Sequence, residues 1–170
     1  PRVNELHYDN AGTDTGEFVE ISGPTGTDLN GWSLVLYNGT SSQRSPYATV
    51  NFTAADSFGT TGFVVVNRPT NGIQNGSPDG LALVDPSGAV VEFLSYEGTF
   101  TAAAGPAAGL TSTDIGVEES FSTDIGSSLQ RFAGGWEGPY PETPGAANAR
   151  PSAPPAPSAF VNELHYDNAG

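Results

Sequence analysis

The chain has 170 residues and a net charge of −14, with 19 acidic residues, five arginines and no lysine. Such a surface repels nucleic-acid phosphates and anionic membranes, which disfavours direct binding to nucleic acid and insertion into a membrane. The absence of cysteine excludes disulfides, thiolate metal sites and a cysteine nucleophile, and no stretch reaches the roughly 18 apolar residues of a membrane span.

Short apolar runs separated by Gly, Pro, Asn, Asp and Ser predict an all-β protein, since no long window has helical periodicity. We expect about eight or nine strands, and this number of short strands predicts a β-sandwich. In chain order the expected strands are residues 3–8, 17–22, 32–37, 48–52, 62–67, 81–84, 89–96 and 128–132, with a final piece around Trp136.

More specific expectations concern one turn and two of these strands. The turn sequence DPSG at residues 85–88 predicts a hairpin between the strands on either side of it. The run GFVVVN at residues 62–67 is apolar enough to be buried on both faces. Strict alternation along residues 3–8 places the odd-numbered side chains on one face of that strand and the even-numbered side chains on the other.

One ten-residue segment, VNELHYDNAG, occurs at residues 3–12 and again at residues 161–170. Identity over this length indicates tandem copies of one module. We therefore expect a β-sandwich over residues 1–148, a Pro/Ala-rich semi-rigid linker over 149–159, and the first strand of a next repeat over 160–170. Such a strand could also pair with a neighbouring molecule and join modules head to tail by strand addition.

The loop that begins within this segment is a candidate metal site. It offers carboxylate and amide oxygens separated by two glycines, and Ca²⁺ prefers oxygen ligands on a turning backbone. The spacing is not that of an EF-hand, and the alternative is a hairpin loop in which Asp and Asn cap their own backbone. The candidate ligands are Asp9, Asn10, Asp14 and Glu17.

A second, weaker candidate lies in the segment STDIGVEESFSTDIG, where the unit STDIG occurs at residues 112–116 and 122–126. Its carboxylates could converge on a cation if the segment folds back on itself. The alternative is a pair of similar turns whose carboxylates face water. The residues concerned are Asp114, Glu118, Glu119 and Asp124.

We expect no catalytic site. His7 recurs as His165 in the terminal copy, and these are the only two histidines of the chain. A triad built on His7 would need a nucleophile elbow, and no G-x-S-x-G motif is present. The interpretation we favour is a strand histidine that is hydrogen-bonded to a neighbour.

The aromatic side chains suit a sandwich core better than a sugar-stacking platform. Those assigned to the core are Trp32, Tyr37, Phe63 and Trp136. The tyrosines left as candidates for glycan contact are Tyr47, Tyr96 and Tyr140.

Several motifs together resemble the bacterial branch of the lamin-tail domain family. They are VNELHYDNAGTDTGEFVEI, TDLNGWSLVLYNG, GIQNGSPDGLALVDPSGAVVEFLSYEG, LTSTDIGVEE, SSLQR and TPGAAN. The resemblance implies an immunoglobulin-like β-sandwich that serves as an accessory module beside extracellular nucleases, phosphatases and adhesion-type repeats. It implies no shared catalytic residue.

Together these features predict a structural or spacer repeat of a large secreted or surface-displayed bacterial protein. Its partners would be neighbouring copies of the module and other domains of the parent protein. The alternative is a binding or targeting module, for a glycan, a cell surface or an extracellular polymer, attached to an extracellular enzyme. Ca²⁺ is the cofactor that the acidic loops suggest, and the expected location is extracellular or at the cell surface.

Overall fold

Two five-stranded β-sheets make up the fold in the computed structural model, which describes residues 1–152. The predicted β-sandwich is confirmed, with ten strands in this part of the chain. Most of the predicted linker and the segment 160–170, with its expected strand pairing, lie outside the described residues. The strands are β1 (Arg2–His7), β2 (Phe18–Ser22), β3 (Ser33–Asn38), β4 (Ser45–Asn51), β5 (Phe63–Asn67), β6 (Asp79–Val84), β7 (Val90–Tyr96), β8 (Thr113–Asp114), β9 (Ser127–Phe132) and β10 (Gly135–Pro141).

The first sheet has the order β10-β9-β1-β2-β5 and the second has the order β4-β3-β6-β7-β8. All pairs are antiparallel except β7 with β8. The predicted DPSG hairpin joins β6 to β7, and the Asp85 carboxylate accepts hydrogen bonds from the amides of Ser87 (2.8 Å) and Ala89 (3.0 Å). Strand β1 lies at the centre of its sheet, between β9 and β2.

Three details differ from the expectation. Strand β8 has two residues, too few to show a pattern in the sequence. Strand β4 begins at Ser45 and therefore includes Pro46, which an edge strand tolerates because the missing N–H is not needed by a neighbour. Strand β5, expected to be buried on both faces, is mostly half-buried because it is the last strand of its sheet.

The main core lies between the sheets and includes Val3, Leu6 and Tyr8 from the start of the chain. A β-bulge between Val3 and Glu5 interrupts the alternation of β1. The prediction that Val3 shares a face with the other odd-numbered residues of this strand is therefore wrong. A bulge adds one residue to one strand of a pair, so the side chains before and after it change faces.

Each sheet also has a covered outer face. On the second sheet a smaller apolar cluster includes Tyr37, Phe93 and Phe100, and the loop after β7 closes it. Within this loop the amide of Ala107 donates a 2.9 Å hydrogen bond to the Tyr37 hydroxyl. The outer face of the first sheet is covered by residues 142–149, which we call the C-terminal segment. This segment makes polar contacts with the sheet.

Gly80 in β6 provides a test of how tightly the second sheet is packed. A methyl group at this position would overlap the backbone carbonyl of Leu94 and lie 3.1 Å from the Cα atom of Ser95. We expect Gly80→Ala to lower the free energy of unfolding by about 1–3 kcal/mol, because overpacking moves backbone atoms.

The matched control is Gly134→Ala, in the turn between β9 and β10, where an added Cβ meets no atom within 4 Å. This variant should stay within about 0.5 kcal/mol of the wild type in urea unfolding. Equal midpoints for the two variants would contradict the packing argument.

Candidate functional site

Four glutamates are buried in the described part of the chain, at positions 5, 17, 20 and 119. A carboxylate removed from water is costly unless protein groups replace its hydration. Each of the four accepts at least one hydrogen bond from the backbone N–H of a segment distant in sequence. They therefore connect loops to the sheets, and we call them the buried glutamates.

Glu119 is the most connected of them. Its Oε2 atom accepts hydrogen bonds from the amides of Tyr8 (2.6 Å) and Asp9 (3.0 Å), and its Oε1 atom lies 3.0 Å from Nδ1 of His7. The hydroxyl of Tyr8 accepts a 2.9 Å hydrogen bond from the amide of Glu119 and donates to Glu97 (3.0 Å). These bonds fix the loop that contains Glu119 against the end of β1.

His7 is a strand histidine whose two ring nitrogens both face acceptors. Besides Nδ1 with Glu119, its Nε2 atom lies 3.2 Å from the side-chain oxygen of Asn10 and 3.2 Å from the carbonyl of Thr15. A ring with an acceptor at each nitrogen is suited to the doubly protonated form. It then has no free lone pair with which to act as a base or bind a metal.

The electrostatics agree with this geometry. Burial alone would lower the pKa of His7, but the hydrogen bond and the charge of Glu119, together with the hydrogen bonds to Asn10 and Thr15, outweigh burial and raise the pKa to about 9. Burial raises the pKa of Glu119, although the bonds from His7 and the backbone act in the opposite direction. Both shifts favour a proton held between Nδ1 of His7 and Oε1 of Glu119.

Two residues of the first predicted cation set are committed to the loop itself. The side-chain oxygen of Asn10 accepts the amide hydrogen of Thr15 at 3.0 Å, besides facing His7. Asp14 accepts hydrogen bonds from the amide of Asn10 (3.2 Å) and the side-chain amide of Asn75 (2.9 Å). This is the self-capped loop that was the alternative interpretation.

The other two residues of that set have different contacts, although the charge of Asp14 acts to raise the pKa of both. Glu17 faces the loop after β5, where its oxygens accept the amide hydrogens of Gly72 (2.7 Å) and Ile73 (2.8 Å). Asp9 lies near Asp14, and partial burial together with the Asp14 charge raises the pKa of Asp9 to about 6. Within residues 1–152, no three His, Asp or Glu side chains are grouped so as to hold a metal ion. Calcium binding stays a prediction.

The structure does not bring all four residues of the second predicted cation set to one place, although Asp114 and Glu118 line one pocket together with Glu97. Asp114 is exposed and accepts a 2.9 Å hydrogen bond from the amide of Gly116, as in a local turn. Glu118 and Asp124 are exposed, whereas Glu119 is buried against His7. Three of the four carboxylates thus match the interpretation of turns that face water.

Glu5 was missed by the sequence reasoning, and Glu20, just beyond the first predicted cation set, was not counted among its ligands. The amide of Thr143 donates to Glu5 (2.7 Å), and the amide of Gly145 donates to Glu20 (2.6 Å). Burial raises the pKa of Glu20 to about 7 despite bonds from Gly145 and Asn4. Their signal was available, since each is a glutamate in the interior of a predicted strand.

Asn148, near the end of the C-terminal segment, lies beside the start of β1. Its side-chain NH₂ donates to the carbonyl oxygens of Asn4 (2.9 Å) and Arg131 (2.9 Å), and its side-chain oxygen accepts from the side chain of Asn4 (3.0 Å). The last residue of the predicted module is therefore adjacent to one of its first residues.

The tyrosines considered for glycan contact are largely engaged. Tyr96 is buried and stacks on Tyr8 with ring centroids 4.0 Å apart, so it cannot contact a glycan. The Tyr47 hydroxyl accepts a hydrogen bond from the amide of Gln74 (3.0 Å). The large apolar side chains that are most exposed are instead Phe121 (83 %) and Ile125 (69 %), on the loop before β9.

The described residues contain no helix that is long and apolar enough to cross a membrane. No family model, curated protein or solved structure matches the chain. The resemblance to lamin-tail domains stays a prediction that depends on the motifs themselves.

Proposed function

We propose that this chain is a non-catalytic structural and spacer repeat of a larger secreted or surface-displayed bacterial protein. The observation that carries the proposal is the use of its buried ionisable groups. The buried glutamates and His7 direct their polar atoms at the backbone and side chains of the module itself. Groups arranged in this way hold a domain together and leave little free to act on a substrate.

The tandem organisation supports the same proposal. The segment VNELHYDNAG occurs twice, and the residues between the sandwich and the second copy are rich in proline. Proline-rich chains extend by about 3.1 Å per residue and act as semi-rigid spacers. A net charge of −14 keeps neighbouring modules soluble and mutually repelling.

An extracellular or surface location is part of the proposal. The chain has neither cysteine nor methionine, the two side chains most sensitive to oxidation. Head-to-tail assembly through residues 160–170 and an immunoglobulin-like topology, as implied by the lamin-tail resemblance, stay predictions beside it.

The second candidate is a binding or targeting module. One observation favours it, namely the exposure of Phe121 and Ile125 on a single loop. Exposed large apolar side chains, where they form one patch, often mark a contact surface. We prefer the spacer because the buried glutamates and His7 all bond to groups of the module itself.

A two-module chain tests the spacer proposal. It is made by joining residues 13–148 after Gly170, which completes the second copy. We expect small-angle X-ray scattering to show two separated bodies, and calorimetry to show one melting temperature equal to that of a single module. The length and stiffness of the linker should then determine the distance between the two bodies.

The control is the same chain with the linker prolines replaced by glycine. A glycine-rich linker is a flexible coil, so the mean separation should shrink while the melting temperature stays unchanged. Identical scattering from the two chains would contradict the spacer role. The substituted positions are Pro151, Pro154, Pro155 and Pro157.

A further inference from the structure

Each of the two sheets ends in two edge strands, and an edge strand presents a row of backbone N–H and C=O groups that no neighbouring strand satisfies. Proteins commonly protect such edges with proline, with a bulge, with charged side chains or by keeping the strand very short. In the described part of the chain the edge strands are β10 and β5 in the first sheet and β4 and β8 in the second.

Three of these edge strands carry such a protective feature. Strand β4 contains Pro46, and its register with β3 shifts along its length. Strand β10 contains Pro139 and Pro141, and its register shifts between Glu137 and Tyr140. Strand β8 has only two residues. Strand β5 differs from all three, because its five residues, FVVVN, pair with β2 in unbroken register and include neither proline nor a charged side chain.

The pairing with β2 shows which backbone groups of β5 face outward. Just beyond the two ends of β5, the carbonyl of Gly62 and the amide of Arg68 both bond to residues that flank β2. Hydrogen-bonded and non-hydrogen-bonded pairs alternate along an antiparallel ladder, so the even-numbered residues of β5 also bond to β2. The N–H and C=O groups of the odd-numbered residues, Phe63, Val65 and Asn67, therefore point away from the sheet.

The distribution of charge also distinguishes this edge. No Asp or Glu occurs between Asp56 and Asp79, although the chain has 19 acidic residues. On the adjacent strand β2, Glu20 lies opposite Val65 but is buried and bonded to the C-terminal segment. A second copy of the module can therefore approach along β5 without bringing exposed carboxylates of the two strands together.

The sequence of β5 is suited to pairing with itself. In an antiparallel pair of two β5 strands centred on Val65, this residue faces Val65 of the second copy, and Phe63 faces Asn67. Each outward-pointing residue then meets a counterpart whose N–H and C=O groups also point outward. Such a pair has two-fold symmetry, which is the commonest symmetry of homo-oligomers, and β-branched side chains that face each other across strands stabilise a sheet.

We infer that β5 is a self-association edge, through which modules of two neighbouring chains pair side by side and join their first sheets into one continuous sheet. One short strand pair buries little surface, so this dimer is weak. It is strengthened by salt, which screens the repulsion between two modules of net charge −14. The inference goes beyond the spacer role, because it concerns contacts between chains and not the linker within one chain.

Sedimentation equilibrium of the full chain at high protein concentration tests the inference. We expect a dimer that becomes tighter as the salt concentration rises from about 0.01 M to about 1 M, where the screening length falls from about 30 Å to about 3 Å. Hydrogen exchange followed by NMR should become slower for the amides of Val65 and Asn67 in the dimer. The amides of Val64 and Val66, which bond to β2, should change little. A chain that stays monomeric in about 1 M salt would overturn the inference.

Charge substitutions at the two-fold axis identify the partner as a second β5 strand. Val65→Lys places two like charges opposite each other, and Val65→Glu does the same with the other sign. Either variant alone should raise the dissociation constant of the dimer by about tenfold or more. An equimolar mixture of the two should dimerise again, because lysine then faces glutamate. The matched control is Thr49→Lys, at an exposed position of edge strand β4, which should dimerise as the wild type does.

The mixture is the decisive measurement. If the wild type dimerises but the mixture stays monomeric, the two β5 strands do not face each other at Val65. Dimers that persist in Val65→Lys, or that are lost in Thr49→Lys, would place the interface elsewhere on the module. These results leave the spacer role untouched, since that role is tested separately by the scattering of the two-module chain in low salt.

Discussion

Replacing Glu119 with alanine is expected to lower the free energy of unfolding by about 3–5 kcal/mol, the cost of breaking a buried ion pair by removing one partner. The change leaves Nδ1 of His7 beside an empty space without its partner, and it leaves the amides of Tyr8 and Asp9 without their acceptor. All three donors are on or next to β1, so the strand and the loop before β9 should loosen together. Urea unfolding followed by tryptophan fluorescence measures the effect.

The control lies one residue away in the sequence. Glu118 is exposed, whereas Glu119 is 3 % exposed, and both are glutamates on the same loop. Glu118→Ala should therefore change the stability by no more than about 0.5 kcal/mol. If both alanine variants unfold at the same urea concentration, Glu119 does not hold this loop in solution.

Stability is expected to fall as the pH rises from about 6.5 to about 9. The pKa of His7 is raised in the folded state from 6.5 to about 9, so in this range the folded chain binds more protons than the unfolded chain. The stabilisation is fully present below pH 6.5 and is lost as the pH passes 9. A shift of this size corresponds to a loss on the order of 3 kcal/mol.

Urea unfolding at pH 6 and at pH 9 checks this expectation. A chain with both His7→Gln and His165→Gln should have a much smaller difference between the two pH values, whereas His165→Gln alone should keep the wild-type difference. Glu20 acts in the same direction, because burial raises its pKa from 4.5 to about 7. The stabilisation that Glu20 contributes is lost before the pH reaches 9. A wild-type chain that is equally stable at both pH values would show that His7 is not charged in the folded state.

Local patterns in the sequence were sufficient to predict the sandwich. The DPSG turn predicted its hairpin because Asp85 caps the turn through neighbours only a few residues away. Apolar runs predicted most strands because burial on one face needs only a period of two. Failures came where the information is not local, as at the bulge after Val3 and at the two-residue strand β8.

The limit of local sequence patterns is stronger still for the candidate site. The acidic residues near the start of the chain could be seen to be unusual, but their partners could not. Glu119 reaches His7 across 112 positions of sequence, and Glu5 reaches Thr143 across 138. No periodicity connects residues so far apart. The sequence therefore shows which carboxylates are present, while the fold decides which of them are buried.

The contact between Asn4 and Asn148 has a mechanical consequence. In a row of such modules, tension would enter and leave each sandwich at one corner, because its two connections lie side by side. Each module would then lie to the side of the line along which the row is pulled, and its own length would add little to the end-to-end length of the row. The linkers would bear most of the extension, and a pulled module would open first at this corner, where the C-terminal segment covers β1.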